Sequence, residues 1–211
     1  MGYSSFYLLF GFYNMKKSYY EMVVPFTQAA MLATKRTTPP TVPTRLDIPA
    51  RRFIFDMVCS EAGELVIADT VVDEIDALLD VAYYCVDSGI RHGHGVSWSV
   101  ELQDKCFGAL VKPLEKEKVA TKLITLNTSL LKATTIAAQN NALHTLINYC
   151  NLQINLLGYP MEPLFEAVAN ANNRKIVNGE VKVNKQGKVL KPTGWVGPEQ
   201  DIALILEKYS A

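Results

Sequence analysis

The residues with the clearest chemical potential are five carboxylates crowded into one stretch. Glu61 and Glu64 stand three apart, and Asp73, Asp76 and Asp80 follow within one further helix's length. Residues 52–68 have helix-forming composition, free of proline and with Gly63 as the one weak point. On that helix Ile54, Met57, Val58, Leu65 and Ala68 make an apolar stripe, with Glu61 inside it and Glu64 at its edge. An ionised carboxylate on a core-facing stripe is costly unless a cation, a donor set or a raised pKa compensates it. Asp73, Asp76 and Asp80 share a face of the next helix, continued by Tyr83 and Asp87, with Ile75, Leu79, Ala82 and Val86 roughly 100° away. Alone, that helix reads as an ordinary amphipathic one with a solvated acidic face. The connection IADTV is short, however, so the two helices form a tight antiparallel pair. Such a pair brings both acidic clusters into one place, and a hard cation makes that density of charge tolerable.

The frame that must position these groups is a single domain of 211 residues. With 49% apolar and 20% charged residues it has the make-up of a soluble globular protein. Its formal net charge is zero, which gives no bias towards nucleic acid or a membrane surface. Cys59, Cys85, Cys106 and Cys150 are widely spaced and form no CxxC pair. That argues against a zinc site and for free, mostly buried thiols in a reducing, cytoplasmic setting.

Residues 1–18 read as an N-terminal extension. Its apolar part, 1–13, is shorter than the ~20 residues a bilayer span needs, and Lys16 and Lys17 follow it where a secretory leader would have them first. A surface or dimer-packing segment is the expectation. Tyr19 to Thr34 reads as a helix with Pro25 near its start or kinking it, and 35–49 as an extended proline-rich linker whose Lys35, Arg36 and Arg45 are solvated, or reach a phosphate if the linker folds over the site. After the acidic pair, His92 and His94 form an HxH capable of chelating a transition metal; lacking a third nitrogen or sulfur ligand nearby, the segment reads as a flexible surface loop. A short helix is expected over 98–110. A long helical region is expected over 113–156, bent near 125–129, and its uncharged part belongs in a bundle or an oligomer interface. DALLDVAYYC (76–85) is echoed by NALHTLINYC (141–150), with both aspartates replaced. The segment 92–150 is therefore either an insertion or a degenerate second copy of the acidic hairpin, unless the echo is chance between two Leu/Ala-rich helices.

The C-terminal third changes character. A turn at 158–160 precedes a helix from about Glu162, and 176–198 is a polar loop with turn signals at Asn178-Gly179 and Gln186-Gly187. Lys182, Lys185, Lys188 and Lys191 recur in it at spacings of three. Such lysines are usually just solvated; beside an acidic metal site they are what a metal-bound polyphosphate needs. Pro198 to Tyr209 reads as a short closing helix.

Taken together, these features resemble the all-alpha NTP pyrophosphohydrolases of the MazG-like and phosphoribosyl-ATP pyrophosphohydrolase-like kind. Glu61-Ala62-Gly63-Glu64 is similar to the family's ExxE, and Asp73-Glu74-Ile75-Asp76-Ala77-Leu78-Leu79-Asp80 to its ExxD helix, with Asp73 in place of the usual Glu. Asn172-Asn173-Arg174-Lys175, Gly187-Lys188-Val189-Leu190-Lys191-Pro192 and Trp195 are similar to its C-terminal pattern. Ala169 stands where many relatives carry His. The resemblance covers the chain apart from about 92–150. It implies an all-α helical bundle with an irregular C-terminal tail that hydrolyses a (deoxy)nucleoside triphosphate to the monophosphate and pyrophosphate with magnesium, or manganese in its place, in nucleotide-pool sanitation. It further implies a homodimer or homotetramer, and no nucleic-acid or membrane partner. Glu61, Glu64, Asp73 and Asp76 are the expected metal shell and catalytic set. Along a helix rising ~1.5 Å per residue, Asp73 and Asp80 lie ~10 Å apart, too far for one magnesium with ligands at about 2.0–2.1 Å. Asp80 is thus assigned a second ion, a water or the sugar. Lys175, Lys188 and Lys191 are expected on the phosphates, and Asn172 or Trp195 on base or sugar. The alternatives are a dimeric dUTPase-like dUTP hydrolase and a non-catalytic nucleotide- or metal-binding protein.

Overall fold

A computed structural model describes residues 18–36, 38–96, 112–185 and 188–210. The apolar segment 1–13, the expected helix 98–110, Cys106 and the expected turn at Gln186-Gly187 lie outside these residues. Seven helices and no regular strand are found among the described residues, so the chain is all-α.

Helix α1 (Tyr19–Ala33) opens with a capping box in which Ser18 and Glu21 satisfy each other's backbone N–H, and it carries Pro25 within its second turn. Helix α2 (Ile48–Ile67) starts four residues before the expected 52. Asp47 caps it by accepting from Ala50 N at 2.8 Å, and Pro49 occupies its first turn, where the missing N–H costs nothing. The preceding linker is anchored through buried Leu46, whose backbone N–H and carbonyl both bond the Gln139 amide, at 2.8 and 3.0 Å.

Helix α3 (Val71–Arg91) follows after three residues and is the central element. It packs against α1 and α2, against α5 (Ile136–Leu156), and against α6 (Met161–Asn173) and α7 (Glu199–Tyr209). Ile75, Leu79, Ala82 and Val86 are fully buried, as the stripe requires. Tyr83 and Asp87 are buried as well, because α1 and α6 cover the side that a two-helix reading leaves to solvent. Asp87 is compensated by the Thr27 hydroxyl, which donates to it at 2.6 Å, and by Arg91 Nε at 2.8 Å.

The region 113–156 is two helices, α4 (Lys116–Lys132) and α5. The break lies at 133–135, not at 125–129, since Thr135 caps α5 by accepting from Ala138 N at 3.1 Å. Helix α4 packs on α2 and α5 on α3, making a four-helix core. Arg51 ties the two pairs together by donating to the carbonyls of Leu131 and Ala133 at 2.6 and 2.7 Å, at the C-terminal end of α4. About half of α5 is buried in this core, 10 of its 21 residues.

The HxH segment is not a free surface loop. His94 is 3% exposed and donates from Nε2 to the Thr44 carbonyl at 2.7 Å, while Thr44 N donates to the His92 carbonyl at 2.8 Å. Gly93, at φ +72°, lets the linker approach: a Cβ there would meet the Pro40 carbonyl oxygen at 2.7 Å. The C-terminal loop turns at Asn178 and Gly179, both left-handed at φ +53° and +81°, the combination Asn-Gly favours. Among the described helices none is long and apolar enough to cross a membrane.

Candidate functional site

The acidic site follows from the hairpin's geometry. In an antiparallel pair, residues equally far from the turn face each other. Glu61, seven residues before Ala68, therefore meets the second and third turns of α3. Asp80, Glu64 and Asp76, in that order, are the charges acting on it. Glu61 is 7% exposed, and burial first, then these three neighbours, pushes its carboxyl up to about 8, with Lys188 opposing. Burial also raises Asp76, helped by Asp80, Glu199 and Glu64 and opposed by Lys191. Asp80 is raised by burial too, with Lys175 the strongest opposing charge. Asp76 Oδ1 is buried without a hydrogen-bond partner. Glu64 is exposed at the mouth.

Asp73 is placed differently from its expected role. It is exposed, and its Oδ2 accepts from Thr70 N at 3.2 Å and from Thr70 Oγ1 at 2.7 Å, closing a capping box at the start of α3. Asp80 and Asp76 are the aspartates of α3 that act most strongly on Glu61.

The C-terminal residues converge on the same face. Lys175, just beyond α6, donates from Nζ to Asn172 Oδ1 at 2.6 Å and lies 4.9 Å from the centre of the Trp195 ring and 5.9 Å from that of Phe26. Lys191 Nζ lies 4.4 Å from the Trp195 centre. The indole is fixed by its Nε1–H, which donates to the Ala171 carbonyl at 2.7 Å. Trp195 thus presents its π face to two ammonium groups. Asn172 is buried: its amide donates to the Val168 carbonyl at 3.1 Å, and its oxygen accepts from Lys175 and so positions that lysine. Burial lowers the Lys175 ammonium, with Lys191 and Lys188 adding to the effect and Asp80 and Asp76 opposing it. Lys188 is exposed, with its backbone N–H held by Asn184 Oδ1 at 2.9 Å. Lys182 belongs to a neighbouring cavity of about 390 Å³ that Lys175 and Lys191 also line, together with Leu190 and Pro192.

Two further groups were not legible beforehand. Glu199 opens α7 and acts on Asp76; its side chain folds over Gly197, where a Cβ would come within 2.1 Å of Glu199 Oε2. The Tyr84 phenol is raised by burial and then by Asp80 and Glu61. The acidic first turn of α7 is a sequence signal for Glu199; Tyr84 has none.

As they stand, no three Asp, Glu, His or Cys side chains among the described residues converge closely enough to coordinate an ion. The chemistry of the set nonetheless fits a hard divalent cation: carboxylates only, mutually repelling, with one buried oxygen unpartnered. Comparison of the chain with protein-family models, with curated proteins and with solved structures found no match.

Proposed function

We propose that this protein is a magnesium-dependent hydrolase of the all-alpha NTP pyrophosphohydrolase type, converting a (deoxy)nucleoside triphosphate to the monophosphate and pyrophosphate. One observation carries the reading. Lys175, Lys191 and Lys188 all act on Asp80, yet among the described residues none of them is in ion-pair contact with Glu61, Asp76 or Asp80. Facing carboxylates and ammonium groups that do not close on each other match the two sides of a metal-bound polyphosphate.

Glu61, Glu64, Asp76 and Asp80 would hold the ion, and Asp73 serves the helix cap. Magnesium, when bound, supplies charge neutralisation at the attacked phosphorus and an acidified water. The chain's own residues do the rest. Lys175, Lys188 and Lys191 neutralise the phosphate oxygens, and Trp195 and Asn172 hold the first and last of these contacts in place. The adjoining cavity of about 390 Å³ is in the size range that takes a small organic ligand, and its apolar wall of Leu190 and Pro192 suits the nucleoside end.

The test is incubation with magnesium and each dNTP in turn, with detection of dNMP and pyrophosphate. Equal yields of both products from at least one dNTP are expected. Turnover of dUTP alone would move the reading to the dUTPase-like alternative, and no dNMP from any substrate would leave only a non-catalytic nucleotide or metal binder.

A further inference from the structure

A single shift of 65 residues carries the acidic hairpin onto the helical pair that packs against it. It takes α3, Val71–Arg91, onto α5, Ile136–Leu156 (136 less 71, and 156 less 91), so the two helices have equal length. The same shift takes the end of α2 at Ile67 onto the end of α4 at Lys132. The backbone of the connection repeats. Ala68 and Ala133 end their helices in the same extended conformation, at φ −57°, ψ 130° and φ −67°, ψ 123°, and their N–H groups bond Leu65 and Leu130. Thr70 and Thr135 then cap the next helix by the same bond, to Asp73 N and Ala138 N. Buried positions coincide too: Val58 with Leu123, Leu78 with Leu143, and Cys85 with Cys150. The connection, the cap, both ends of the second helix and these core positions agree at one offset, whereas the start of α2 at Ile48 lies further from its hairpin than that of α4 at Lys116.

The shift also predicts where a second acidic site would lie. Glu61, Glu64, Asp73, Asp76 and Asp80 map onto Leu126, Ser129, Ala138, Asn141 and Thr145. All five of those residues line one groove, of about 560 Å³, on the α4–α5 pair. No carboxylate remains in it. The Thr145 hydroxyl is turned back onto its own helix, donating to the Asn141 carbonyl at 2.7 Å. The groove has kept its position and lost its ligands.

We propose that α4–α5 is a second, discharged copy of the acidic hairpin, and that its groove is a latent divalent-cation site, blind to metal as it stands and restored by returning the carboxylates. This rests on the proposed metal site of α2–α3, whose geometry it borrows. Each chain then carries one working cation site, and α4–α5 serves as the packing partner for α2–α3.

The test counts Mn²⁺ bound per full-length chain by electron paramagnetic resonance. Wild type is compared with the Leu126→Glu, Ser129→Glu, Asn141→Asp, Thr145→Asp variant, and with a version that keeps Leu126 and alters only the three exposed positions. One additional Mn²⁺ per chain in either folded variant is the expected gain. No gain in variants whose circular dichroism matches wild type overturns the proposal. So does a wild-type Mn²⁺ that is lost on Asn141→Ala and Thr145→Ala. A wild type that binds none alongside a variant that binds one supports the duplication while refuting the metal site of α2–α3, so the two failures are told apart.

Discussion

Replacing Glu61 by glutamine tests the physical core of this account. The change keeps the shape of the side chain and removes a carboxyl that burial and three acidic neighbours hold at about 8, against an ordinary value of 4.5. A carboxyl whose folded pKa is raised binds its proton more tightly folded than unfolded, so stability falls as pH rises from 4.5 to about 8. At about 1.4 kcal/mol per pKa unit the full cost is at most about 5 kcal/mol. Relaxation of Asp76 and Asp80 reduces it, and about 2–3 kcal/mol is a reasonable magnitude for the side chain itself. For a chain of this length that corresponds to very roughly 5–10 °C in Tm. Thermal denaturation with EDTA should therefore show wild type and Glu61→Gln melting together at pH 4.5, and the variant melting higher at pH 8.5. Added magnesium should raise the wild type more than the variant, because an ion replaces the missing compensation only where the carboxylate remains. The variant should have no turnover. A Tm difference that does not change with pH would refute the claim that Glu61 carries an uncompensated buried charge. Full activity would refute its place in the site.

Four further changes separate parts of the site. Asp73→Ala removes half of a capping box and should cost about 1 kcal/mol in urea denaturation while leaving kcat/KM within a few-fold. Asp80→Asn should lower kcat/KM at least a hundredfold, and the reverse ranking would return Asp73 to the metal shell. Lys188→Glu should raise KM with little change in kcat; an unchanged KM means that this lysine is only solvated. Gly197→Ala places a methyl where the Glu199 carboxylate lies, so the variant should show altered magnesium dependence of rate, and wild-type behaviour would remove Glu199 from the site.

Much of this arrangement was legible in the residues, for identifiable reasons. The α2–α3 pair is legible because its apolar spacing is unbroken and its connection short. Glu61 is legible because a charge on an apolar stripe conflicts with burial. The convergence of Asn172, Lys175, Lys191 and Trp195 follows the order of the C-terminal motif. The start of α2 was hidden because Pro49 reads as linker, although a proline in the first turn is compatible with a helix. The α4–α5 break was hidden because Ala133-Thr134-Thr135 has neither Gly nor Pro; its signal was the Ala-x-Thr already present at 68–70. The choice between Asp73 and Asp80 depends on which turn of α3 faces Glu61, and that is a property of the pair, absent from either helix taken singly. His94 looked exposed because its partners, in the proline-rich linker, are about fifty residues away.

The central claim is that the carboxylate face and the lysine tail grip a metal-bound polyphosphate between them. Calorimetric binding of α,β-imido dNTPs, which resist cleavage at the relevant bond, measures this directly. Affinity for at least one analogue should fall at least thirtyfold when magnesium is replaced by EDTA, and Asp80→Asn should abolish that dependence while Lys191→Glu weakens binding in both conditions. Binding of equal strength with and without magnesium, or unaffected by both substitutions, would contradict the account.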